Sequence, residues 1–170
     1  MPGSSLDGHE YLEEDEWQSM NALLLLNRTV LADLDSALGR EHGLGVREFD
    51  VLITLHNAPD RRLRMSSLAE RVMLSPAGVT HLATRLERDG LVRREVDPSD
   101  RRKWFTVLTD RGDETLRAAR RTHNDVLRRG LFEVTTPTER KTLQRLWARL
   151  DGSRRDQPRK PSRKTTSIRG

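Results

Sequence analysis

The chain of 170 residues has no cysteine, which excludes disulfides, thiolate metal sites and thiol-based redox sensing. It has no apolar run approaching a membrane span and no signal-peptide pattern at its acidic start, so it is expected to work in the cytoplasm. Gly-rich phosphate loops, nucleophile elbows and recognisable paired-carboxylate motifs are also missing, and no catalytic residue is assigned. His9, His42, His56, His81 and His123 show no metal-ligand spacing, so neither a metal nor a cofactor is expected. Hydrophobic residues make up only 34%, matched by 34% charged residues. Such a composition calls for polar tails or long exposed helices beside one ordinary core.

What is present is unevenly spread charge. Residues 1–16 form a block of net −6, and residues 154–170 ("RRDQPRKPSRKTTSIRG") a block of +6. The segment 61–105 carries eleven bases against six acids, which points to a polyanionic partner. Residues 1–15 are read as an acidic extension and 151–170 as a disordered basic tail with almost nothing to bury. The tail has two readings: added phosphate-neutralising affinity, or a solubilising remnant without a role.

Between these ends the apolar periodicity predicts helices. Trp17, Met20, Leu24, Asn27, Leu31, Leu34 and Leu38 form a heptad-like seam, with Leu23, Leu26 and Val30 as a second apolar edge. A break at "GREHGLG" precedes a helix from about Val46 to Asn57, and "APDRRLRM" reads as a loop. "SSLAERVML" gives a short helix with Ser67 and Glu70 at capping-box spacing. Ser75 then caps a helix with Pro76 in its first position and Gly90 just past its end. After Gly90 the period drops from 3.6 to 2. "LVRREV" and "RKWFTVL" read as strands joined by "DPSD". Thr109 caps a long helix reaching about Gly130. Thr136, Pro137 and Glu139 open the last one, whose stripe is Leu143, Leu146, Trp147 and Leu150.

Two short helices, a tight turn and a hairpin define a mainly α fold: a winged helix-turn-helix with a two-stranded β-wing and terminal dimerisation helices. The helix at 76–88 buries Val79, Leu82, Ala83 and Leu86 and turns Ala77, Thr80, His81, Thr84, Arg85 and Arg88 outward. That face is short, hydrogen-bonding and basic, and it suits the major groove of double-stranded DNA. Thr80 and His81 reach base edges or phosphates, Arg85 a guanine or a phosphate, and the amides at Ser75–Ala77 a phosphate. The hairpin tip adds Arg101, Arg102 and Lys103 as a cationic finger for the backbone or minor groove. Alternation puts Arg93 and Arg94 on opposite strand faces, so at most one of them faces DNA.

Residues 66–112, "SSLAERVMLSPAGVTHLATRLERDGLVRREVDPSDRRKWFTVLTDRG", resemble the DNA-binding core of the MarR family of bacterial transcriptional regulators. The resemblance implies a domain over 16–150, with its DNA-binding core at about 46–108 and dimerisation segments at about 16–40 and 110–150. It further implies a homodimer held by the first and last helices, with Trp17, Met20, Leu24, Leu143, Leu146, Trp147 and Leu150 in the interface. Each subunit would place one recognition helix on a near-palindromic operator. A repressor released by a small, often aromatic or phenolic, ligand is implied as well; no ligand-contacting residue is assigned. Family wings read Asp-x-Arg-Asp-x-Arg; Asp97, Asp100 and Arg102 match, whereas Ser99 replaces the first arginine. The alternative is a sequence-tolerant protein that coats DNA, or one using the same scaffold for protein contacts. The Thr80, His81 and Arg85 set favours the specific reader, since pure phosphate binding would use lysines there.

Overall fold

In the computed structural model, which describes residues 11–97 and 100–155, the chain opens with a 29-residue helix, α1 (Glu14–His42). Glu14, Asp15 and Glu16 place negative charge on its positive end, and Glu16 accepts a 3.0 Å bond from the Glu13 amide. Gly43, at φ 65°, stops it. The next helix, α2 (Val46–His56), is tied to α1 by the Val46 amide, which donates to Asp35 at 2.9 Å.

The expected loop after α2 contains a single 3-10 turn and then a strand, β1 (Arg62–Arg64). β1 pairs antiparallel with β3 (Asp100–Leu108), which also pairs with β2 (Val92–Asp97). The sheet therefore has three strands in the order β1-β3-β2, one more than the predicted wing. With a single apolar residue in "RLR", β1 has no period for the sequence to display. Pairing Leu63 opposite Thr106 is what makes it a strand.

Helix α3 (Met65–Arg71) starts at Met65 with Arg64 as its N-cap. Ser67 thus lies inside the first turn, and the predicted Ser67–Glu70 capping box does not form. The recognition-type helix, α4 (Pro76–Arg88), has the predicted bounds, with Ser75 Oγ accepting from the Gly78 amide at 3.1 Å. In α5 (Asp110–Leu127) the Thr109 hydroxyl accepts from the Gly112 amide at 2.9 Å. The α pattern ends at Leu127 rather than near Gly130, continuing as a π turn over Arg128–Phe132. The last helix, α6 (Pro137–Arg155), has its predicted reciprocal cap. The Thr136 amide donates to Glu139 at 2.7 Å and the Glu139 amide to Thr136 Oγ1 at 3.3 Å. The amide and the hydroxyl of Thr136 both hold the Glu139 carboxyl below its ordinary pKa. α6 runs through Gly152 to Arg155, so the first residues assigned to the tail are helical. Residues 1–10 of the acidic extension and 156–170 of the tail lie outside the described residues.

The chain divides after Leu131 into two compact units. The core of the first is one cluster in which Leu38 of α1, Leu52 and Leu55 of α2, Leu68 of α3, Leu86 of α4 and Leu116 of α5 are fully buried. Each such leucine contributes about 2 kcal/mol of transfer free energy, so the winged unit is held by residues from five helices. Among the described residues no helix is long and apolar enough to cross a membrane, and no cluster has metal-ligand composition.

Helices α3 and α4 end in the same way. After α4, Leu91 N bonds Leu86 O at 2.9 Å and Gly90 N bonds Glu87 O at 3.0 Å, with Gly90 at φ 72°. After α3, Leu74 N bonds Ala69 O and Met73 N bonds Glu70 O, but the left-handed position is held by Met73 at φ 52°. A Cβ in that conformation costs about 1 kcal/mol. Met73 is 82% exposed and adds nothing to the core. Met73→Gly should therefore raise the urea midpoint, by about 1 kcal/mol of stability.

Candidate nucleic-acid interface

On α4 the buried residues are Val79, Ala83 and Leu86, while Ala77, Thr80, His81, Thr84, Arg85 and Arg88 are all exposed. The predicted inner and outer faces are thus the ones the fold uses. Thr80 Oγ1 donates to Pro76 O at 2.8 Å and Thr84 Oγ1 to Thr80 O at 2.9 Å. Both hydroxyl protons are thereby directed into the helix, leaving oxygen lone pairs outward as acceptors.

Arg85 has an intramolecular partner as well. Its Nη1 donates at 2.8 Å to Glu48 of α2, a carboxylate that is itself buried. One edge of the guanidinium therefore braces α4 against α2, and the side chain remains half-exposed. Nothing local signals this pair, whose members are 37 residues apart.

The wing is bolted to α4 by Arg94. Its Nη2 donates to Thr84 Oγ1 at 2.5 Å, its Nε lies 3.2 Å from Glu87, and its own amide donates to Glu87 at 3.2 Å. Arg93 points the other way and pairs with Glu95 at 2.6 Å, as strand alternation requires. Lys103 is exposed and lies 3.3 Å from Asp100. Arg101 and Arg102 stand at the start of β3, with their side chains outside the described residues. At the turn end of the wing Asp97 is buried and sits 2.6 Å from the Arg64 guanidinium. Arg64 and Arg62 also lie over the Phe105 ring, at 5.6 and 4.9 Å. The contribution of β1 to the wing was illegible in sequence because the strand itself was.

Behind the helix-turn-helix, His56 Nδ1 donates to Asp113 at 2.7 Å, joining the end of α2 to the start of α5. Arg117 lies 2.8 Å and Arg61 3.6 Å from the same carboxylate. Burial acts to raise the Asp113 pKa. The His56 hydrogen bond and the charges of Arg117, Arg61 and His56 outweigh it, leaving the carboxyl below its ordinary range. A carboxylate lowered in the folded state contributes stability above its unfolded pKa of about 3.9, and loses it as pH falls through the still lower folded value. Asp113→Asn should therefore cost about 2 kcal/mol at pH 7. Urea melts should find that deficit shrinking below about pH 4. His42, expected in a loop, ends α1 with Nε2 2.8 Å from Thr122 Oγ1, and that hydroxyl donates to Glu41.

The residues expected in a dimer interface fall into two groups. Leu34 and Leu38, in the second half of the α1 seam, are buried within the chain. Trp17, Met20 and Leu24, with Leu23, Leu25 and Leu26, are exposed on the first half. On α6 Leu143, Leu146, Trp147 and Leu150 are exposed as well.

A family model described as "MarR family" matches residues 44–104, from the start of α2 into the wing. The chain is 32% identical over 106 residues to the uncharacterized HTH-type transcriptional regulator YkoM of Bacillus subtilis, covering 61% of this chain and 68% of that one. It is 28% identical over 148 residues to the transcriptional repressor MprA of Escherichia coli, covering 87% and 71%. Among solved structures it is similar to Sco3205, a MarR family transcriptional regulator from Streptomyces coelicolor in complex with DNA. The TM-score is 0.81 with 32% identity, over 87% of this chain and 92% of that one. The chain belongs to the MarR family.

MarR proteins are transcriptional regulators rather than enzymes, which agrees with the missing catalytic motifs. Membership also extends the resemblance from residues 66–112 across α1 to α6. Against the family's wing pattern, Ser99 falls outside the described residues, and Asp97 is held by Arg64 from β1.

Proposed function

We propose that this MarR protein is a homodimeric, sequence-specific DNA-binding repressor working in the cytoplasm. Each subunit lays α4 in a major groove of a near-palindromic operator. The observation that carries the reading is the outward face of α4. Ala77, Thr80 and His81 are exposed, small or hydrogen-bonding, and mounted on a helix fixed from both sides by Glu48 and Arg94. Such a face discriminates bases, whereas a lysine-rich one would only neutralise phosphates. Ser75–Ala77 present the helix N-terminus to a phosphate, and Arg101, Arg102 and Lys103 follow the flanking backbone or minor groove.

Dimerisation is supported by the apolar surfaces of α1 and α6, formed by Trp17, Met20, Leu24, Leu143, Leu146, Trp147 and Leu150. A repressor sense is favoured by the likeness to MprA. Family membership supports release by a small aromatic or phenolic ligand that shifts the two recognition helices between states of different DNA affinity.

The test is footprinting on the gene's own upstream intergenic DNA. A protected palindrome is expected, and His81→Ala should lose about tenfold in affinity and relax base preference beneath it. Mobility shifts repeated with a panel of aromatic acids test release. Arg85→Ala needs Glu48→Gln beside it, because removing Arg85 alone leaves a buried carboxylate without its cation. Deleting residues 154–170 should flatten the salt dependence and spare the sequence preference. A protein that binds random duplex equally well, and loses most binding with the tail, would instead be a DNA-coating protein.

A further inference from the structure

The inner face of the wing hairpin carries an exposed apolar pair that the reading above does not use. On this face Arg94 stands opposite Thr106 and Val96 opposite Trp104. Near the root, Thr106 is fully buried, its hydroxyl 2.9 Å from Met65 Sδ. Two residues further out, Trp104 is 46% exposed and Val96 42%. Trp104 also shares a shallow, mainly apolar cavity with Met65, Arg94 and Thr80. Thr80 is on the outward face of α4, so the indole lies beside the very surface assigned to the major groove. An indole held open to water next to a reading helix has little to gain from the fold, which already buries Thr106 beneath it.

We infer that Trp104 is a DNA-contacting residue that packs its ring against the deoxyribose at the edge of the groove entered by α4. The proposal rests on the DNA-reading function above and adds a non-ionic contact to it. The occupant is set by what surrounds the indole. Arg94 lines the same cavity as the indole and Lys103 immediately precedes it in sequence, so cations stand near it even though each is ion-paired within the fold, and the α4 face adjoins it. A duplex backbone offers that combination of anionic phosphate and apolar sugar. An aromatic ring is suited to the sugar because its face accepts C–H contacts and needs no hydrogen-bond partner.

Full-length wild type, Trp104→Ala, Trp104→Phe and Lys103→Ala are to be titrated on duplex from the protein's own upstream DNA across a salt series. Hydroxyl-radical footprints, which read sugar exposure, accompany each titration. Trp104→Ala should bind about tenfold more weakly, equivalent to about 1.4 kcal/mol, at every salt concentration. Its salt slope should match wild type because no phosphate contact is lost. Sugar protection at the groove edge should vanish while protection beneath α4 persists. Trp104→Phe should stay within about threefold. Lys103→Ala should instead lower the slope by about one.

Wild-type affinity and a complete footprint in Trp104→Ala would overturn the proposal. So would a slope change like that of Lys103→Ala, or a shift in the monomer–dimer equilibrium with DNA affinity intact, which would assign the surface to a second copy. If Trp104→Ala melts early, Trp104→Leu preserves apolar bulk and answers the same question. A wild-type footprint without sugar protection beside the α4 segment also refutes it. Wild type that binds no duplex at all removes the underlying DNA-reading function, a failure distinct from loss in Trp104→Ala alone.

Discussion

Leu24→Glu combined with Trp147→Glu is expected to yield a folded monomer that binds its operator more than about a hundredfold more weakly. Leu24 is 57% exposed and Trp147 59%, and each sits among further exposed apolar side chains on α1 or α6. Monomers seldom leave such surfaces open to water. The winged unit should survive the change because its fully buried residues, from Leu38 to Leu116, are supplied by its own helices. The loss of affinity follows from geometry. With two half-sites about one DNA turn apart, the second recognition helix of a dimer binds at a local concentration in the millimolar range. A monomer forfeits that advantage entirely. Sedimentation and mobility shifts check both parts. A variant still dimeric at micromolar concentration, or a monomer with undiminished affinity, would refute the dimer.

Gly112→Ala should destabilise the protein by about 3 kcal/mol, at the upper end for overpacking. A Cβ at Gly112 would lie 2.0 Å from the Leu91 carbonyl oxygen and 2.8 Å from Leu108 Cδ1. That oxygen cannot easily retreat, since it accepts the Thr109 amide at 3.1 Å. The added methyl would force α5 away from the base of β2 and strain the Thr109 cap. Gly39→Ala provides the opposite control. Nothing lies within 4 Å of its added Cβ, and alanine in a helix interior is favoured by about 0.5–1 kcal/mol. Thermal melts should move in opposite directions for the same chemical change, and a neutral Gly112→Ala would refute the close approach.

The signals that proved legible come from residues within four positions of each other. Ser75, Pro76 and Gly90 bracket α4, and Thr109 and Thr136 cap α5 and α6, because each cap bonds an amide two or three residues ahead. The outward set of α4 was legible for the same reason, since helical period alone assigns the faces. Ser67 and Glu70 had cap spacing without capping anything, because β1 pairing with β3 carries the chain straight into α3 three residues earlier. Met73 shows the converse: the turn forms a left-handed cap that its residue type does not announce.

By itself, then, the chain's order of residues determined the helix ends, the two faces of the recognition helix and the wing's cationic turn, all consequences of backbone periodicity and short-range bonding. Folding decided that Arg85 grips Glu48, that His56 holds Asp113 across 57 positions, that Gly112 must lack a side chain, and that Trp104 stays open beside Thr80. Those outcomes depend on distances between remote segments, and such distances exist only once the helices and sheet have packed together.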